Sequence, residues 1–137
     1  MKHLLGIDIG GTKCAVVLGR AQADVEATGG LQILGKAAFA TPARAPAATL
    51  EQIVQTCGAL VQAHGLTLAD VAGVGISCGG PLDSRRGLIL SPPNLIGWDA
   101  VPIVEILTTQ LGRPTALQND ANACAVAEWQ YGAGRGL

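Results

Sequence analysis

The sequence predicts an α/β domain: a mixed sheet, mostly parallel, with an antiparallel hairpin at its front and helices covering both faces. Three observations predict it. Two short apolar runs, residues 4–9 and 12–18, are separated by Gly10-Gly11, the pattern of a hairpin joined by a two-residue turn. Val71–Cys78 is nearly all small and β-branched with no polar alternation, which suits a strand buried on both faces of a parallel sheet. Beyond residue 49, strand-like runs alternate with stretches of helical period, giving the order βββαβαβα.

Each element has its own local reason. After the hairpin, residues 20–30 are small and polar and read as an exposed loop. Leu31–Ala40 reads as a third strand, with Ile33 and Leu34 at its centre. Residues 41–48 contain Pro42 and Pro46 and read as a loop, since proline removes a donor from helix or sheet. Thr49-Leu50-Glu51-Gln52 matches a capping box, so the first helix is expected to start there. Leu50, Ile53, Cys57, Leu60 and Val61 form its apolar stripe, His64 sits in its last turn beside the negative end of the dipole, and Gly65 ends it.

Val71–Cys78 follows as a strand, stopped by Gly79-Gly80-Pro81. Residues 83–87 form a charged turn, residues 88–90 a short extended piece, and Ser91-Pro92-Pro93-Asn94 must be irregular. Pro102 suits the first turn of a second helix whose buried side is Val101, Val104, Ile106, Leu107 and Leu111, closed by Gly112. Residues 114–118 make another strand. Asn119-Asp120-Ala121-Asn122 opens a last helix that ends near Gly132.

Composition narrows the function classes. With 137 residues, 49% apolar and 14% charged, the chain is one globular domain large enough for a real core. A net charge of −1 without a long basic run argues against a nucleic-acid groove. Apolar stretches are broken well short of membrane-spanning length. Met1-Lys2-His3 leads straight into the first strand with no leader pattern, so a cytoplasmic protein is expected. Cys14, Cys57, Cys78 and Cys124 are scattered without a C-x-x-C pair and read as small core residues.

The stretch Asp8-Ile9-Gly10-Gly11-Thr12-Lys13 carries the chemistry. Glycines let backbone N–H groups approach a phosphate, Thr12 adds a hydroxyl and Lys13 a cation. A carboxylate at Asp8 beside a phosphate is repulsive unless a cation such as Mg²⁺ lies between. On residue chemistry alone, a plain turn and a nucleotide-phosphate hairpin both fit, because short glycine motifs recur widely. Asp120 is similarly two-sided: with Asn119 it is a good helix-start residue, satisfying free N–H groups, as well as a candidate base.

In this order, three motifs together resemble the N-terminal half of the ROK sugar kinases, members of the actin–hexokinase superfamily. Asp8-Ile9-Gly10-Gly11-Thr12-Lys13 is similar to the family's first phosphate motif. Residues 73–83 with Ser91-Pro92-Pro93-Asn94-Leu95 look like its sugar-loop segment, and Gln118-Asn119-Asp120-Ala121-Asn122-Ala123, with Glu128 and Gly132, like its catalytic motif. The resemblance covers essentially the whole chain. It implies a ribonuclease-H-like (actin-like ATPase) domain and an ATP-dependent kinase acting on a hexose or N-acetylhexosamine hydroxyl.

The roles it implies are specific. Asp120 would be the general base, Asn119 and Asn94 would hold sugar hydroxyls, and Gly80 would let the loop backbone approach the sugar. Gly10, Gly11, Thr12 and Lys13 would face the phosphates of ATP, and Asp8 would hold Mg²⁺ through water. Trp98 fits either a wall of the sugar loop or a packed anchor, whereas Trp129 and Tyr131 read as packing residues. Gln118 stands where the family most often has glutamate, which removes one charge beside the base. Family members run to about twice this length. The second phosphate motif, the adenosine pocket and the cysteine-rich zinc motif are expected beyond Leu137, so no zinc site is expected here. Half a cleft is expected to bind sugar and ATP weakly and to catalyse little. An apolar face left by the other half is expected to drive homo-oligomer formation. The family's sugar-responsive repressors are the alternative; they resemble this chain behind a winged-helix DNA-binding domain, which is not expected here because the first strand begins at Leu4.

Overall fold

A computed structural model describes residues 2–21, 31–42, 45–78, 82–83, 86–89, 98 and 101–119. A five-stranded sheet has the order β3-β2-β1-β4-β7, with β1 Lys2–Ile9, β2 Lys13–Ala21, β3 Leu31–Ala40, β4 Val71–Cys78 and β7 Thr115–Asn119. Strand β1 is central: it pairs antiparallel with β2 on one side and parallel with β4 on the other, and β4 pairs parallel with β7. The sheet is therefore mixed, as the sequence predicts, and β3 and β4 have the predicted bounds.

Alternation along the strands sorts residues onto two faces. Leu5, Ile7 and Ile9 align with Leu18, Val16 and Cys14 of β2 and with Val74, Ile76 and Cys78 of β4. All nine are buried in one core with the stripe of helix α1 (Pro46–Ala63) and with Ile103, Leu107 and Leu111 of helix α2 (Ile103–Leu111). Both described helices thus lie on the same face of the sheet. Helices were expected on both faces; the third, which would start at Asn119, lies outside the described residues beyond that position.

Helix α1 begins before the predicted cap. Ala45 is its N-cap and Pro46 its first residue, so the expected loop over residues 41–48 is cut short. Proline is pre-set for that position and forfeits no helical bond there. Thr49 is not a cap: its hydroxyl donates back to the Ala45 carbonyl at 2.9 Å from inside the helix. The other end follows expectation. Gly65 has φ +73°, its N–H reaches the Gln62 carbonyl, and the Leu66 N–H reaches that of Val61. This is a Schellman ending. His64, the C-cap, places its ring nitrogens 3.0 Å from the carbonyls of Leu60 and of Leu34 on β3, tying the helix end to the sheet.

Between β4 and α2 a small hairpin, β5 Leu82–Asp83 and β6 Leu88–Ile89, was not foreseen as paired strands. Val101 does not belong to α2, as its spacing suggests. It forms a two-way backbone bridge with Ile89 and packs into the core ahead of the helix. Pro102 is accordingly the N-cap and not the first helical residue. Gly112 closes α2 in the left-handed region at φ +68°. Trp98 is 1% exposed and belongs to the core, which decides for the packed anchor over the wall of a sugar loop. Cys14, Cys57 and Cys78 are buried and in no disulfide, in keeping with the reading of them as small core residues; Cys124 lies outside the described residues. Among the described residues, no helix is long and apolar enough to cross a membrane.

Candidate functional site

The β1–β2 turn differs in register from the expected one. The Gly10 N–H donates to the Lys13 carbonyl at 3.1 Å, so the tip is Gly11-Thr12 and not Gly10-Gly11. Gly10 is needed for a different reason than positive φ: a Cβ there would lie 2.9 Å from the Lys13 carbonyl oxygen. Gly11, Thr12 and Lys13 are exposed at the tip.

Asp8 is the exposed residue in an otherwise buried stretch of β1, its neighbours Ile7 and Ile9 lying in the core. It pairs with Ala15 on β2 and Ser77 on β4, one row below the turn. The protein around it displaces enough water to push its carboxyl above the ordinary 3.8, and the Lys36 ammonium pulls it back down. Lys36 on β3 shares the face of Asp8, since Val17 pairs with both Lys36 and Gly6. An exposed carboxylate that is uncomfortable when charged, next to a turn of backbone donors, fits a hydrated divalent cation. Magnesium is usually held by one or two carboxylates together with phosphate and water. No group of three or more ligating side chains occurs among the described residues, so a closed metal cage is not what they form.

The far side of the site comes from β7. Asn119 pairs with Cys78, and Cys78 with Ile9, so the ends of β1, β4 and β7 are level across the sheet. The turn that follows Ile9 and the segment that follows Asn119 therefore leave the sheet at the same end. That is the end where open α/β sheets carry their ligands. For Asn119 only the backbone is described. Gly80, Asn94 and Asp120, and with them the sugar-loop and base assignments, lie outside the described residues.

Two residues of the site were missed. Lys36 gives no sequence signal beyond being a polar residue in an edge strand. Thr41 had one: it stands between the end of β3 and Pro42. Its N–H donates to the Thr12 carbonyl at 2.9 Å and its hydroxyl to the Gly10 carbonyl at 2.7 Å, while Cys14 Sγ lies 3.2 Å from that hydroxyl.

Comparison with known proteins decides the family. Residues 4–137 match the ROK family. The chain belongs to the ROK family. Among ROK relatives, the glucokinase of Streptomyces coelicolor is 31% identical over 132 residues, covering 96% of this chain and 37% of that protein. The N-acetylmannosamine kinase of Shigella flexneri is 36% identical over 127 residues, covering 93% and 39%. The ROK hexokinase of Thermus thermophilus superposes with a TM-score of 0.71 at 31% identity, over 96% of this chain and 40% of that one. A ROK glucokinase from Streptomyces griseus, solved with glucose and AMPPNP, gives 0.63 at 34% identity over 98% and 38%. A ROK transcriptional regulator superposes at 0.66 with 16% identity over 86% and 28%, a likeness of fold alone. The fold is thus the actin-like ATPase fold of the ROK kinases. The chain spans less than half the length of these relatives.

Proposed function

We propose that this chain is the N-terminal half of an ATP-dependent ROK sugar kinase that phosphorylates a hexose or N-acetylhexosamine hydroxyl. The observation that carries this reading is the common level of Ile9, Cys78 and Asn119, which supports a phosphate turn and a sugar-binding segment working over one end of the sheet. The family relationship to glucokinases and an N-acetylmannosamine kinase supports it further.

Gly11, Thr12 and Lys13 bind the nucleotide phosphates through N–H groups, a hydroxyl and an ammonium. Asp8 would hold Mg²⁺, which when bound would supply neutralisation of the phosphate charge. Asn119, with Asn94 and Gly80, orients the sugar. Its hydroxyl oxygen attacks the γ-phosphorus, the bond from that phosphorus to the β–γ bridging oxygen breaks, ADP leaves, and the hydroxyl proton passes to Asp120. Little covalent work falls to the protein in such a transfer; positioning and charge neutralisation dominate.

Residues 1–137 supply one side of the cleft, so they turn over little or no sugar alone. A hexose and N-acetylhexosamine panel with ATP tests this: activity is expected only when the complementary half is added. Ordinary turnover by these residues alone would refute the half-cleft reading, and no turnover in the reconstituted pair would refute the kinase. Self-association is expected of the isolated chain, and sedimentation equilibrium giving a monomer at high concentration contradicts it. The regulatory alternative has only likeness of fold behind it.

A further inference from the structure

The phosphate reading of the turn leaves a question of orientation. A loop that binds an anion must present its N–H groups and turn its carbonyls away, because carbonyl oxygens repel phosphate. Within this turn three carbonyls have identified donors. That of Lys13 takes the Gly10 N–H, that of Gly10 takes the Thr41 hydroxyl, and that of Thr12 takes the Thr41 N–H. Two of the three are held by one residue that comes from the end of β3, about thirty positions along the chain from the turn it grips.

The peptide unit is planar and trans, so N–H and C=O point in opposite directions. Fixing the Gly10 carbonyl on Thr41 therefore aims the Gly11 N–H away from Thr41. Fixing the Thr12 carbonyl does the same for the Lys13 N–H. Pro42 helps, since the residue before a proline is confined to extended conformations and Thr41 thereby continues the β2–β3 ladder by one rung. Thr41 has one hydroxyl proton, which goes to Gly10. The Cys14 thiol at 3.2 Å is then the donor to the Thr41 oxygen, completing a chain from Cys14 through Thr41 to the Gly10 carbonyl.

We propose that Thr41 is a positioning residue for nucleotide-phosphate binding, holding the Gly10 and Thr12 carbonyls inward so that the Gly11 and Lys13 N–H groups face the phosphate. This rests on the phosphate reading proposed above.

The test is titration of the 137-residue chain with Mg·ATP, followed at the backbone amide signals of Gly11 and Lys13. Thr41→Val, which keeps shape and loses the hydroxyl, is expected to weaken ATP binding about tenfold, the scale of one lost hydrogen bond. Thr41→Ser is expected to restore it. Thr49→Val, which removes a buried hydroxyl on α1 remote from the turn, is expected to leave the ATP affinity unchanged. A second measurement needs no variant: in the unliganded chain the Gly11 amide must exchange fast with solvent while the Thr41 amide is protected. A folded Thr41→Val variant with undiminished affinity, or a protected Gly11 amide, overturns the role of Thr41. Absence of any ATP-induced shift in the unsubstituted chain removes the phosphate reading itself and this inference with it.

Discussion

Ile9 and Asn119 stand at the same level of the sheet, each paired with Cys78 from opposite sides. Between them they bracket the end of the domain where one chain segment carries a glycine turn and the other leads directly into Asp120. Four expectations follow from the geometry around that end and the core beneath it.

Burial around Asp8 makes its ionisation costly to the fold. A carboxyl whose pKa is raised on folding favours its protonated form in the folded state, so ionisation lowers stability. That penalty is absent below the ordinary 3.8 and complete above the raised value. Asp8→Asn is therefore expected to melt higher than the unsubstituted chain at pH 7, the difference shrinking as the pH falls through the window just above 3.8. It is also expected to lose Mg²⁺-dependent ATP binding. Thermal melts from pH 3 to 8 check the first part, and a lower melting temperature at pH 7 would contradict it.

Replacing Asp120 by asparagine in the reconstituted kinase should lower the rate by roughly 10²–10⁴, the usual contribution of a positioned base. Sugar and ATP affinities should change far less. Steady-state kinetics separate the two, and a rate within a few-fold of the parent would remove Asp120 from the role of base.

Gly65 and Gly87 both have positive φ, at +73° and +70°, but differ in surroundings. A Cβ on Gly65 meets open space, so Gly65→Ala carries only the backbone penalty, about 1–2 kcal/mol. A Cβ on Gly87 would sit 2.6 Å from the Val104 Cβ, against helix α2. Gly87→Ala should be the more destabilising of the two in urea unfolding, and the reverse order would discredit the packing of the β5–β6 hairpin on α2.

Burial pushes the Cys57 thiol up to about 12, so almost none of it is thiolate at neutral pH. Iodoacetamide at pH 8 should leave Cys57 unmodified in the native chain and label it in guanidinium. Mass mapping of the site gives the answer, and rapid native labelling would mean that the α1–sheet contact opens readily.

Much of the fold was legible because periodicity reports burial. The uniform apolar run of β4 and the stripe Leu50-Ile53-Cys57-Leu60-Val61 became what their spacing said. Starts of helices were less legible. The Thr49 capping box was overruled because Pro46 could begin α1 a turn earlier, and Val101 had the spacing of a helix but the backbone partner of a strand. At the site, the turn could be found from its glycines. Lys36 could not, and Thr41 showed only its place before Pro42, because their roles depend on β3 lying beside β2, a pairing that no local pattern announces.

The place of Asp8 on β1 has an evolutionary corollary. Ile7 and Ile9 must enter the core while Asp8, between them, must not. Inserting or deleting a single residue ahead of Asp8 in this strand would turn its carboxylate onto the face where Ile7 and Ile9 now pack, burying a charge in one step. Lineages carrying this chain must therefore copy the first strand without a shift in its register.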